Sequence, residues 1–132
     1  MPASKIERTM FNIAADDIGR VRDFYVALLS FEQIYESDWY IVLVPKEGPR
    51  FELGIIARSS EVTPLAATKA PGGGYLTFVV EEVLLAFEQA QAMNAEIIEP
   101  PTDMFYGQRR MVLRDPAGTI VDISSPTPTM TA

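Results

Sequence analysis

The sequence contains no cysteine and no histidine. Without cysteine there can be no disulfide, thiolate zinc site or cysteine nucleophile. Without histidine there is no His-based triad, no imidazole metal ligand and no imidazole general base. No apolar run approaches the roughly 20 residues that a membrane-spanning helix requires. The opening residues Met-Pro-Ala-Ser-Lys-Ile-Glu-Arg lack the apolar stretch of a signal peptide, so a cytoplasmic location is expected. Positive charge is scarce as well, with 11 basic against 18 acidic residues and a net charge of −7. Such a surface repels phosphate backbones, so no nucleic-acid partner is expected, and it attracts cationic small molecules.

What remains is an ordinary globular mixture. The 132 residues suit one domain or two closely packed halves, and 48% hydrophobic with 22% charged residues supports a folded core. Residues 6–14 are predicted to form a strand. Asp16 and Asp17 offer an N-cap, and Val21, Phe24, Tyr25, Leu28 and Leu29 follow at helical spacing. Three strands are predicted over 31–36, 39–45 and 51–56, separated by turn-forming Ser37-Asp38 and Lys46-Glu47-Gly48-Pro49. Residues 57–74 read as a linker; its Gly72-Gly73-Gly74 run lacks the strand-before, helix-after context of a phosphate loop. A second cycle begins at 75–80 with a strand. Glu81 and Glu82 open a helix that carries Val83, Phe87, Ala90 and Met93 on one face, and Asn94 ends it in a left-handed conformation. Strands are predicted over 95–98, 108–114 and 119–124, with 99–107 a loop and 115–118 a turn. The tail 125–132 is expected to fray.

The pattern is strand-helix-three strands, written twice. Each unit covers one face of a small sheet with its helix, and the other face needs a different partner. Two such units side by side can curl around a shared concave surface.

Three stretches carry a resemblance to a known family. Asp-Phe-Tyr-Val-Ala-Leu-Leu-Ser-Phe-Glu (23–32) is similar to a helix ending of the form FYrdvLGFe. Phe78-Val-Val-Glu-Glu82 is similar to a feVdD segment, and Arg114-Asp-Pro-Ala-Gly-Thr-Ile-Val-Asp-Ile123 to an rDPdGnlvEl signature. With the repeat, these resemble the vicinal oxygen chelate superfamily of glyoxalases, extradiol dioxygenases and bleomycin-binding resistance proteins. The resemblance implies an α+β fold of two βαβββ modules, module one at 6–56 and module two at 75–124. The curled mixed sheets would surround a concave pocket, in a homodimer. Ser30 stands where the family has Gly, a costlier residue if the position has positive φ.

Metal-dependent members of the family place ligands on the first and last strands of each module. The resemblance carries these positions onto Met10, Glu52, Tyr75 and Asp122. Both carboxylates remain and both imidazoles are lost. A soft thioether and a neutral phenol beside two carboxylates match no metal's preference, so neither metal nor other cofactor is expected. If Met10 points inward, strand alternation brings Asn12 with it, and Tyr75 brings Thr77. Trp39, Phe105 and Tyr106 are candidate aromatic contacts; Trp39 is equally able to serve in packing, while Phe105 and Tyr106, in a loop before a strand, point more to a contact. The expected function is sequestration of a drug-like or natural-product ligand, cationic or aromatic, as in antibiotic resistance. The alternative is a lyase or isomerase that uses Glu52 and Asp122, with or without a weakly bound divalent metal.

Overall fold

A computed structural model describes residues 4–69 and 72–127. The first module contains β1 (Met10–Ala15), α1 (Ile18–Leu29), β2 (Phe31–Glu36), β3 (Tyr40–Pro45) and β4 (Glu52–Ala57). The second contains β5 (Leu76–Val79), α2 (Val83–Ala92), β6 (Glu96–Asp103), β7 (Gln108–Arg114) and β8 (Ile120–Pro126). Each makes a four-stranded mixed sheet, ordered β1-β4-β3-β2 and β5-β8-β7-β6. The first strand of each sheet pairs parallel to the last, and the remaining pairs are antiparallel. The sheets do not close into a barrel.

Alternation decides what each strand buries. Ile13, Ala15, Ile41, Leu43, Leu53 and Ile55 face the helices from the first sheet, and Met111, Leu113, Val121 and Ile123 from the second. They meet Val21, Phe24, Tyr25 and Leu28 of α1 and Val83, Ala86 and Ala90 of α2 in one core. The predicted helix faces are therefore the buried ones. Asp17 caps α1 by accepting from the Arg20 N–H at 3.1 Å, and Glu82 caps α2 by accepting from the Leu84 N–H at 3.1 Å. Ser30 ends α1 at φ 53°, and Asn94 adopts φ 58° after α2.

Several predicted boundaries are corrected. The first strand starts at Met10 rather than residue 6, because β1 has only β4 to pair with and β4 begins at Glu52. Trp39 and Phe51 lie just outside β3 and β4, and Tyr75 just before β5. The stretch 99–103, predicted as loop, extends β6 through Pro100 and Pro101. Proline is tolerated there because β6 is an edge strand with irregular register, so the missing N–H breaks no central ladder. Strand β8 continues through Ser125 and Pro126, held by pairing with Arg109 and Gln108. Of the predicted frayed tail, 128–132 lies outside the described residues. Part of the predicted linker is fastened down. Arg58 donates to Asp16, to the Ala14 carbonyl and to the Thr68 carbonyl, and Leu65–Ala67 forms a short 3-10 turn.

Candidate functional site

The sheet faces turned away from the helices carry the candidate residues. On the first sheet, Met10 and Asn12 of β1 pair with Glu52 and Gly54 of β4. Tyr40 reaches over from β3. Its hydroxyl donates to Asn12 Oδ1 at 2.8 Å and lies 3.8 Å from the Met10 sulfur. Gly54 makes this meeting possible: a Cβ there would stand 1.9 Å from Asn12 Oδ1 and 2.7 Å from the Tyr40 hydroxyl. Trp39 stacks on Tyr40 with ring centroids 5.5 Å apart, and Tyr35 approaches it at 6.3 Å. Trp39 and Tyr35 remain 37% and 51% exposed, so this end of the sheet presents aromatic surface to solvent.

Glu52 is 5% exposed, and both its oxygens are engaged. Arg8 donates from Nε to Oε2 at 2.5 Å and from Nη2 to Oε1 at 2.6 Å. These charge-assisted bonds hold the carboxyl below its ordinary range. The positive charges of Arg8 and Arg50 add to the effect, and desolvation opposes it. Burial pushes the Tyr40 phenol up, which keeps it neutral and able to donate to Asn12.

On the second sheet, Thr77 and Asp122 are register partners, and the Thr77 hydroxyl donates to Asp122 Oδ2 at 3.2 Å. Burial pushes the Asp122 carboxyl up, against the opposing effects of the Thr77 bond and the Arg110 charge. Arg110, on the same face of β7, pairs with Glu99 at 3.1 Å. Three buried polar atoms lack a hydrogen-bond partner among the described residues: Asp122 Oδ1, Arg110 Nε and Gln108 Oε1. Alternation along β7 and β8 places all three on this one face. Phe105 and Tyr106 form an edge-to-face pair 5.4 Å apart at the tip of the β6–β7 hairpin, with Phe105 98% exposed.

Met10, Asn12, Glu52 and, through Tyr40, Trp39 are thus brought together on one sheet, and Thr77 and Asp122 on the other. The two carboxylates have separate surroundings: Glu52 faces Arg8 and Arg50, Asp122 faces Arg110 and Glu99. Tyr75 does not pair with Asp122; it lines a cleft of about 460 Å³ with Asn12, Ala14 and Leu76. Sequence reasoning missed Arg8, Tyr40 and Arg110 as site residues. Tyr40 follows Trp39 in the same predicted strand, and that aromatic pair was a usable signal. Nothing local marks Arg8, because its partner lies 44 residues away.

These donors do not fit a divalent metal. A soft thioether stands beside Glu52 and a hydroxyl beside Asp122, the two carboxylates lie on separate sheets, and the described residues hold no group of three or more His, Cys, Asp or Glu arranged as ligands.

A family model for the glyoxalase/bleomycin resistance protein/dioxygenase superfamily matches residues 5–123. Among solved structures, a glyoxalase/bleomycin resistance protein/dioxygenase family enzyme from Burkholderia phytofirmans PsJN is 25% identical, with a TM-score of 0.75 over 89% of this chain and 96% of that one. A superfamily member from Sphaerobacter thermophilus DSM 20745 is 22% identical, with a TM-score of 0.72 over 92% and 98%. TioX from Micromonospora sp. ML1 is 19% identical, with a TM-score of 0.69 over 91% and 98%. None of the curated proteins is significantly similar to the chain. Its two βαβββ modules and the family match agree: the chain belongs to the glyoxalase/bleomycin resistance protein/dioxygenase superfamily.

Proposed function

We propose that the protein binds a small organic molecule on the outer sheet faces without a resident metal, and sequesters it rather than converting it. The observation that carries this reading is the composition of the first sheet's face. Exposed Trp39 and Tyr35 flank a hydrogen-bonded Asn12–Tyr40 pair, beside a carboxylate already neutralised by Arg8. Mixed aromatic and directed polar surface is what small-molecule sites use. The three unpartnered polar atoms on the second sheet add hydrogen-bonding capacity that a ligand or water would satisfy.

The protein acts as a cytoplasmic homodimer in this reading, with one copy's first sheet facing the other copy's second sheet. Two observations support it: the helix-side faces of both sheets share one core within a chain, and Glu52 and Asp122 have no charged neighbour in common. A second reading, a lyase or isomerase, draws support from Asp122 alone, whose raised carboxyl is suited to proton transfer.

The test is a thermal-shift screen of metal-stripped protein against divalent metals, glycopeptides, other aromatic natural products, keto acids and thioesters. A ligand at about 100 times its Kd stabilises by roughly 2.7 kcal/mol. Stabilisation by an aromatic or cationic compound, lost in Trp39→Ala and unaffected by chelator, is the expected result. A divalent-metal response in the wild type, or turnover abolished by Asp122→Asn, overturns the sequestering role. Sedimentation equilibrium reports the dimer, and a monomer at micromolar concentration refutes the shared pocket.

A further inference from the structure

The contact between Arg8 and Glu52 joins two very different partners. Glu52 is fixed on β4, an interior strand of its sheet, and its side chain is 6% exposed. Arg8 belongs to the irregular segment before β1, and its side chain is 64% exposed. Its guanidinium lies over the outer sheet face, within electrostatic reach of both Glu52 and the Tyr40 phenol. Tyr40 carries the stacked Trp39 and the adjacent Tyr35. The small cleft around the ion pair, about 340 Å³, is lined by Ile6, Glu7, Arg8, Thr9, Arg50 and Glu52. A buried carboxylate with the Tyr40 phenol in electrostatic reach is an arrangement that holds a guanidinium or ammonium group. In this chain the group in that place is supplied from within.

We propose that Glu52, with Tyr40 and Trp39, forms a subsite for the cationic group of a ligand, and that Arg8 is its tethered occupant, which the ligand must displace. The inference rests on the small-molecule reading above and names the chemistry of its guest: an alkylguanidinium or alkylammonium carried next to an aromatic or apolar body. Arg8 does two things in this arrangement. It prevents the cost of an unpaired buried carboxylate in the empty protein. It also sets a threshold, because a guest meets an open site only in the fraction of molecules where Arg8 has let go, and its apparent affinity falls by that fraction. Displacement leaves charge balanced: one cation leaves the carboxylate and another takes its place. Arg50 and Glu7, the other charges of the cleft, offset one another.

The experiment compares 2-phenylethylguanidinium with its neutral isostere 2-phenylethylurea by calorimetry, on the wild type, Arg8→Gln, Arg8→Lys and Glu52→Gln. Arg8→Gln is expected to tighten guanidinium binding by about tenfold, the scale of one charge-assisted pair, and to leave the urea unchanged. Glu52→Gln is expected to erase the preference for guanidinium over urea. In wild-type protein, the Arg8 Nε–H resonance is expected to lose its exchange protection as the guanidinium saturates; this readout does not depend on any variant folding. Guanidinium binding that is unchanged or weaker in Arg8→Gln and Arg8→Lys overturns the proposal. So does an Arg8 signal untouched at saturation. Equal binding of both compounds to every variant removes the cation subsite and leaves the small-molecule reading standing. Binding of neither compound to Arg8→Gln removes the subsite too, and the broader ligand screen then decides the general reading separately.

Discussion

Gly54 shows how one missing side chain organises the first sheet's outer face. Its hydrogen leaves room for the Tyr40 phenol and the Asn12 amide to meet above the strand. Gly54→Ala forces a methyl group into that space and should cost about 1–3 kcal/mol, as overpacking does. Chemical denaturation measures the loss, and Tyr40→Phe in the same background should recover part of it. The two retained carboxylates should respond oppositely to pH. Glu52 is lowered by the Arg8 hydrogen bonds, so its contribution is present above the ordinary carboxylate range and is lost as pH falls through its lowered value. Asp122 is raised by burial, so its contribution is present in acid and is lost as pH rises through its raised value. Denaturation midpoints between neutral and acid pH should therefore show a shallower acid decline for Glu52→Gln. Asp122→Asn should be at least as stable as wild type at neutral pH, with its advantage vanishing in acid.

At the scale of elements, helix ends and edges follow local chemistry closely. Asp17 and Glu82 cap the two helices with their own carboxylates, and Ser125 accepts from the Val83 N–H at 3.0 Å, tying β8 to the start of α2. Ser30 is the costly exception. It holds φ 53° at the end of α1, where a β-carbon is disfavoured. Ser30→Gly should stabilise the fold by about 1 kcal/mol, seen as a higher denaturation midpoint with an unchanged slope. No change would mean that the lost side-chain restraint on the unfolded chain cancels the relief. The Pro100-Pro101 pair in β6 shows where local reading fails: proline signals a break, yet on an edge strand it also blocks addition of a further strand.

Across the whole molecule, the two modules are joined by an aromatic and polar seam. Phe78 of β5 packs edge-on against Tyr25, Phe31 and Phe51 of the first module, at 5.8–6.4 Å between ring centroids. The Tyr25 hydroxyl donates to Asp115 Oδ2 at 2.6 Å, while Asp115 Oδ1 accepts from the Ala117 and Thr119 N–H groups in the β7–β8 turn. Burial and the neighbouring carboxylate push the Tyr25 phenol well above its usual range, so it stays a donor. Tyr25→Phe leaves a buried carboxylate oxygen without this partner and should cost about 1–3 kcal/mol. Calorimetry should show one transition at lower temperature. A split into two transitions would show that this bond, rather than the Phe78 cluster, couples the modules.

The sequence by itself determined the repeat, both helices with their buried faces and caps, most of the strands, and the family signature at 114–123. Each rests on interactions between residues a few positions apart: turn chemistry, helical periodicity and strand alternation. It also determined what the site lacks, because absent histidine and cysteine need no coordinates to interpret. Only the tertiary structure decided how the retained residues are used. Register placed Met10 beside Glu52, and put Thr77 rather than the expected Tyr75 beside Asp122. The partner of Glu52, however, is Arg8, 44 residues distant in the chain. Asp122 took the opposite protonation tendency because burial outweighs its neighbours. Charge pairing and desolvation act through space, so two carboxylates equivalent in the repeat became one ion-paired anion and one raised acid.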